Sequence, residues 1–421
     1  MAWLLFAVGV VCALTALVSI APPRWPGALT VAAWPIGWLV SELPLHHLAL
    51  QLGLAAALAF SGAAATWPGW IGLAGVALSA IILRRHLINA AGTTVIVERA
   101  LADALGRDYH DRIDPGLRAA YDPSTSWRRL ALPWPRRPAA VTCIAGLAYG
   151  DDLRQRLDVY RPLLDSGAPR PVFVYVHGGG WVIGSRGQQG LVTVHELAAA
   201  GWICVSMDYR LSPRATFPDH LIDVKRGLAW VRDHIAEHGG DPRFVVVGGG
   251  SAGGHLAALA ALTANDPRYQ PGFERADTTV AGCVAYYGVY DFSDRARTFG
   301  HRAFRELLLA RLVLKRPITD VDAYDAASPH AQLARADAPT PPPLLVIHGT
   351  RDNLVPVKMA RGFVRAARER GGTVAYVELP GAHHAFEILP SLRSVVVVHG
   401  VHRFCQAIYS RWRVAHPDPD R

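Results

Sequence analysis

The stretch Phe244-Val245-Val246-Val247-Gly248-Gly249-Gly250-Ser251-Ala252-Gly253-Gly254-His255, followed by the apolar residues Leu256 to Leu262, decides the fold. The apolar, partly β-branched run at 244–247 reads as a buried strand, and Leu256 to Leu262 reads as a helix. Between them Gly249-x-Ser251-x-Gly253 forms a nucleophile elbow. In this sharp strand-to-helix turn, small neighbours let the backbone close and leave the serine hydroxyl clear. The same residues also spell Gly248-x-Gly250-x-x-Gly253, the dinucleotide fingerprint. That reading requires an early βαβ unit and an acidic residue ending the next strand. Here two or three strands precede the motif and the next one ends in Tyr286-Tyr287-Gly288, so the elbow is preferred.

Outward from the elbow, strand and helix signals alternate. Short apolar runs recur at Pro171 to Val176, Trp202 to Asp208, Arg243 to Val247, Thr279 to Tyr286, Pro343 to His348 and Thr373 to Leu379. Runs that are apolar on both faces suit a parallel sheet covered on both sides by helices. Leu221, Val224, Leu228, Val231 and Ile235 recur at spacings of three and four, an amphipathic helix opened by Pro218 and Asp219. The alternation predicts an open, doubly wound α/β domain, mostly parallel, over about residues 141–421.

In such sheets the chemistry gathers at the carboxyl ends of strands. A nucleophilic serine needs a base, an acid that orients the base, and donors for an oxyanion. The run Leu344 to His348 leads into Gly349-Thr350-Arg351-Asp352, which makes Asp352 the expected acid. Thr373 to Leu379 leads into Pro380-Gly381-Ala382-His383-His384-Ala385-Phe386; of the two imidazoles, His384 is favoured as the base. The order Ser251, Asp352, His384 at successive strand ends is far more specific than any one of them, since a lone loop Asp or His is usually surface decoration. His177-Gly178-Gly179-Gly180-Trp181, directly after Val172 to Val176, is the expected oxyanion loop. A glycine triplet can turn backbone N–H groups toward a ligand, and the His177 side chain is placed to brace the loop.

Together these residues carry a resemblance. His177-Gly-Gly-Gly-Trp181, Asp208-Tyr-Arg-Leu-Ser-Pro213, Gly249-Gly-Ser251-Ala-Gly-Gly254, Gly349-Thr-Arg-Asp352 and His384-Ala-Phe386 resemble the hormone-sensitive-lipase-type branch of the α/β-hydrolases. More narrowly, the chain is similar to the membrane-anchored Lip carboxylesterases of mycobacteria and related actinobacteria, from about Leu147 to its end. The resemblance implies an ester hydrolase with no metal or organic cofactor. It implies Ser251, Asp352 and His384 as a triad, with Gly179, Gly180 and Ala252 donating N–H groups to the oxyanion. It also implies a helical cap, with an insertion near residues 291–335 and possible contributions from before Ala140. One departure stands out: many members of this branch carry Asp before the nucleophile, and this chain has Gly250.

The rest of the 421 residues is of another kind. Between Met1 and Leu83 the charged side chains are Arg24 and Glu42, so nearly all of the 18% charged residues and the net charge of +9 fall later. About 20 apolar residues cross a ~30 Å hydrocarbon core. Spans are expected near residues 2–20, 48–66 and 67–83, within an anchor of residues 1–90, with 91–140 as linker or cap-associated helices. Gly27 to Val40 is short and carries Pro35, and reads as re-entrant or interfacial. Trp3, Trp25, Trp34, Trp38, Trp67 and Trp70 sit at or near the ends of these runs, at headgroup level. A cleaved signal peptide is disfavoured, because no Lys or Arg precedes the first run and apolar segments resume after it. Arg24 and the Arg84-Arg85 pair place the N-terminus outside and the catalytic domain in the cytoplasm.

The five cysteines follow no framework spacing and read as reduced thiols. His195-Glu196 lacks the second histidine of a metalloprotease motif, which disfavours a zinc hydrolase. Basic runs never exceed two residues and interleave with acids, which argues against nucleic acid and for contact with anionic lipid headgroups. The expected partners are therefore a small-molecule or lipid ester and the bilayer, with a dimer as the working oligomeric state. An amidase or deacetylase would use the same triad, and a non-catalytic membrane scaffold would use none of it.

Overall fold

The computed structural model describes residues 1–23, 27–119, 127–164, 167–295, 297–299 and 304–417. Arg24 and Trp25 lie outside the described residues, as do positions 296 and 300–303 of the expected cap insertion. Eight strands form one sheet: β1 (Val141–Ala148), β2 (Arg156–Pro162), β3 (Arg170–Val176), β4 (Ile203–Met207), β5 (Gly240–Gly250), β6 (Gly282–Tyr286), β7 (Leu344–Gly349) and β8 (Val374–Leu379). Their spatial order is β1-β2-β4-β3-β5-β6-β7-β8. The pairs β1–β2 and β2–β4 are antiparallel, and every other pair is parallel.

Side chains alternate across this sheet because the strand period is two residues. On β3, Val172, Val174 and Val176 enter one core while Phe173 and Tyr175 enter the other; on β5, Val245 and Val247 oppose Phe244 and Val246. The first core is closed by Leu221, Val224, Leu228 and Val231 of the helix Asp219–His234 and by the elbow helix Ala252–Leu262. The second is closed by the helices Leu191–Ala199 and Leu392–Ala415. Burial on both faces explains the continuous apolar runs of the parallel strands. The edge strand β1 and its antiparallel neighbour β2 escape that pattern. On β1 only Val141 is buried, and the strand is bulged between Ile144 and Leu147, while β2 carries Arg156, Asp158 and Arg161 among its buried Leu157, Val159 and Tyr160.

The N-terminal part forms four helices, α1 (Ala2–Ile20), α2 (Gly27–Glu42), α3 (Pro44–Phe60) and α4 (Trp67–Ala91). Two boundaries differ from expectation. The span near 48–66 is not one helix: α3 begins at Pro44, ends at Phe60 and passes through a short 3₁₀ turn, Ala63–Ala65. The span near 67–83 runs on to Ala91, because Arg84 and Arg85 are good helix formers and do not break it. Pro44 at the first turn of α3 bends α2 and α3 apart by 89°. Among the described residues two helical stretches, α1 and Trp67–Leu105, are long and apolar enough to cross a membrane, or three if the bent pair counts as one.

Within the expected linker or cap-associated stretch 91–140, one helix packs on the core. The helix α5 (Thr93–Leu105) continues from α4 and buries Val97, Ala100, Leu101 and Leu105 in the second core. Its period-3.6 apolar face is what a structural helix needs.

Candidate active site

β5 runs straight into the elbow. Ser251 sits at φ 56°, ψ −118°, between the strand and the first turn of Ala252–Leu262, and its N–H donates to the Tyr286 carbonyl at 2.9 Å. A positive φ on a non-glycine residue is strained and persists only where the surroundings over-determine it. Here the two flanking glycines do so. A Cβ on Gly249 would lie 2.6 Å from the Gly253 carbonyl carbon, and one on Gly253 would lie 2.6 Å from the His177 oxygen.

The loops after β7 and β8 bring the other two expected residues to this turn. His384 accepts from the Ser251 hydroxyl at Nε2 (2.8 Å) and donates from Nδ1 to Asp352 Oδ2 (2.6 Å). Asp352 Oδ1 accepts the N–H groups of Leu354 (3.0 Å) and Val355 (2.8 Å), so the carboxylate orientation is set by backbone. His348 Nε2 lies 3.3 Å from Oδ2 and donates to the Val355 carbonyl at 2.9 Å. Burial alone would raise the Asp352 carboxyl. The His384 imidazole and the hydrogen bonds from His348 and His384 outweigh it and hold the group well below the usual carboxylate range.

The glycine loop faces the elbow from β3. Gly179 and Gly180 adopt φ 115° and 60°, a region open to glycine, and Trp181 follows at φ 61°. Among the described residues no acceptor is paired with the N–H groups of Gly179, Gly180 or Ala252. Gly178 donates to Gln189 Oε1 at 2.8 Å, and a Cβ there would stand 3.2 Å from the Ser251 Cβ. His177 braces the loop: its Nδ1 donates to the Gly178 carbonyl at 2.6 Å, and its ring stacks on Tyr209 with centroids 4.4 Å apart. Burial lowers this imidazole to about 4, against the Gly178 carbonyl and Asp208 that raise it, so it is neutral near pH 7. Trp181 Nε1 donates to His255 Nδ1 at 3.2 Å, and His255 Nε2 donates to the Ala327 carbonyl at 2.7 Å. The helical segment Phe304–Val313 reaches the same loop: its Leu308 lies 3.6 Å from where a Gly180 Cβ would stand.

Three contributors were not anticipated. Trp34 of α2 donates its indole N–H to the His384 carbonyl at 3.1 Å. The Tyr287 ring lies against the His384 imidazole, centroids 4.4 Å apart. Glu387 is fully buried, accepts from Tyr175 at 3.1 Å and also from Tyr287, and is pushed up by burial against those hydrogen bonds. The rejected imidazole, His383, points away from Ser251 and meets the Ser19 carbonyl at 2.7 Å. A cleft of about 580 Å³ elsewhere on the domain, lined by Arg112, Arg170, Arg243 and Trp412, contains none of these residues.

The chain matches the BD-FAE family over residues 157–366. It is 41% identical to the probable carboxylic ester hydrolase LipM of Mycobacterium tuberculosis, an alignment covering 95% of this chain and 93% of that one. The chain belongs to the Lip family of carboxylic ester hydrolases. Esterase LipQ of the same organism, also in this family, is 38% identical, with 91% and 86% covered. Among solved structures, esterase B from Lactobacillus rhamnosis aligns with TM-score 0.57 at 22% identity, over 69% of this chain and 94% of that one, a likeness of fold. Esterase 2 of Thermogutta terrifontis, phosphonylated by sarin, aligns with TM-score 0.50 at 29% identity, over 60% and 87%. The eight-stranded, mostly parallel sheet with helices on both faces is thus an α/β-hydrolase fold.

Proposed function

We propose that this Lip-family protein is a serine carboxylesterase working through an acyl-enzyme. The carrying observation is the unbroken relay Ser251 Oγ, His384 Nε2, His384 Nδ1, Asp352 Oδ2, with steps of 2.8 and 2.6 Å. As Ser251 attacks an ester carbonyl, His384 takes its proton, and the ionised Asp352 holds the imidazole in the tautomer that leaves Nε2 free to accept. The unpaired N–H groups of Gly179, Gly180 and Ala252 then receive the oxyanion, where preorganised donors act most strongly. The alcohol leaves with the proton from His384. Water, deprotonated by the same imidazole, releases the acid and restores Ser251.

Family membership supports the ester as substrate, and the organophosphonate adduct of the Thermogutta esterase supports a serine nucleophile of this geometry. The test is Ser251→Ala in the full chain. It should abolish turnover of p-nitrophenyl esters and labelling by a fluorophosphonate; near wild-type turnover would overturn the assignment.

The N-terminal helices serve in this reading as a membrane anchor. Their outward faces are apolar, with Leu50, Phe60, Trp67 and Trp70 exposed. Trp3 meets Trp67 at 5.4 Å, and Ser19 Oγ meets His86 at 2.8 Å, so α1 and α4 run parallel. Parallel neighbours require the chain to return across between them, which supports α2 and α3 as a broken third crossing. Arg84 and Arg85 then put the catalytic domain on the cytoplasmic side, opposite the N-terminus.

A further inference from the structure

Beneath the elbow lies a closed polar cradle that the triad mechanism does not use. Gly250, the residue before the nucleophile, has no side chain, and the space is not empty. A Cβ there would stand 2.9 Å from Glu387 Oε1, 2.9 Å from the Tyr287 hydroxyl and 3.1 Å from the Tyr175 hydroxyl. Real Cβ contacts essentially never fall under 3.0 Å. The three oxygens therefore fill the volume that a side chain at 250 would take, and glycine is the residue that lets them meet.

The donors define the chemistry of the cradle. Tyr175, from β3, donates to Glu387 Oε1, and Tyr287, just past β6, donates to the other carboxylate oxygen. These two hydroxyl donors work against the burial that pushes the carboxyl up, and both of its oxygens are used as the acceptors an ionised carboxylate offers. Tyr287 cannot move independently of the base: its N–H is held by the Ile347 carbonyl at 2.7 Å, and its ring packs on His384. Glu387 itself lies three residues past His384 on the same loop. The groups facing the catalytic imidazole are thus Asp352, Ser251, Tyr287 and the uncharged indole of Trp34, with Glu387 behind Tyr287 and His348 behind Asp352.

We propose that Glu387 is a positioning residue for His384: from the far side of the Gly250 gap, its carboxylate locks Tyr287 against the imidazole and supplies a second negative charge toward it. Asp352 orients the ring from Nδ1. Glu387 fixes the ring's tilt through Tyr287, whose plane meets the imidazole at 54°, and favours the imidazolium formed as Ser251 attacks. The departure from Asp at position 250 has a physical cause in this chain, because the buried carboxylate arrives from residue 387 instead.

The proposal rests on the triad reading, and Ser251→Ala in the same assay tests that reading by itself. The test of the cradle compares Glu387→Gln, Glu387→Ala, Gly250→Asp/Glu387→Ala and Gly250→Asn/Glu387→Ala in the full-length detergent-solubilised enzyme. Each is assayed for kcat and KM on p-nitrophenyl butyrate, with melting temperature recorded. Glu387→Gln keeps shape and removes charge; kcat should fall about tenfold, the scale of one lost pK unit of interaction with the imidazole, while KM stays within about twofold. In the Glu387→Ala background, Asp at 250 should recover most of the lost kcat and Asn at 250 should not. Wild-type kcat in Glu387→Gln would overturn the proposal. So would equal recovery by Asp and Asn, or kcat losses that track melting temperature alone across the series.

Discussion

Glu42 is the one acidic side chain among the first 83 residues, and it is buried at the joint between the apolar helices and the hydrolase. At the end of α2 it pairs with Arg393, itself 1% exposed, and accepts from Ser391 Oγ at 2.8 Å and Ser41 Oγ at 3.3 Å. Glu42→Ala would strand a guanidinium away from water. Breaking a buried pair by removing one partner costs about 3–5 kcal/mol, whereas replacing both partners by apolar residues of similar volume is often neutral. At ~2.1 cal/mol/K of unfolding entropy per residue, a chain this long unfolding as a unit would lose about 3–6 °C in Tm. Circular dichroism melting of the detergent-solubilised enzyme would measure this, with Glu42→Leu/Arg393→Met alongside. The double variant should regain most of the loss. A Tm for Glu42→Ala within about 1 °C of wild type, or a double variant no better than the single, would refute the reasoning.

Other consequences follow from the same geometry. Trp34→Phe removes the N–H that holds the His384 carbonyl, together with part of the indole that packs on Trp38, and kcat should fall at least about three- to tenfold at unchanged KM, the scale of one hydrogen bond at ~1 kcal/mol; steady-state kinetics on a short ester would check it. His177 takes its proton near pH 4 when folded and near 6.5 when unfolded, so the unfolded state binds more protons between those values. Stability should therefore decline as pH falls through this range, and urea unfolding should show a shallower decline in His177→Gln. For topology, a reporter fused to the C-terminus should register as cytoplasmic, and an extracytoplasmic signal would reverse the orientation proposed from Arg84 and Arg85.

The legible part of this molecule was the part whose physics is local or periodic. The strands β3 to β8 announce themselves because burial on both faces demands unbroken apolar runs. Ser251, Asp352 and His384 follow from strand ends in the right order. The antiparallel strands β1 and β2 were not legible, since β1 is mostly exposed and bulged and β2 interrupts its apolar residues with Arg156 and Asp158. The helix α5 was hidden by its place next to a charged, irregular stretch. The span near 48–66 was misplaced because hydropathy continues through the Ser61–Thr66 turn, where only backbone geometry breaks the helix. Glu387 and Trp34 required contacts between residues far apart in sequence, 212 positions in the case of Tyr175 and Glu387 and 350 in that of Trp34 and His384. A pattern read along one chain does not report such distances.

The joint between α2 and the catalytic loops has a further meaning for how such a protein could change over time. Besides the Trp34 bond, the Thr30 carbonyl holds Asn353 Nδ2 at 3.1 Å and the Ser19 carbonyl holds His383, so the neighbours of both Asp352 and His384 lean on the apolar helices. A tether joined to an enzyme by a flexible linker can be exchanged, shortened or clipped off with little effect. Here the two halves share a wall, and a recombination or proteolytic event near residue 92 would release a hydrolase with its acid and base loops unsupported. The helices and the hydrolase are bound to be inherited as a pair.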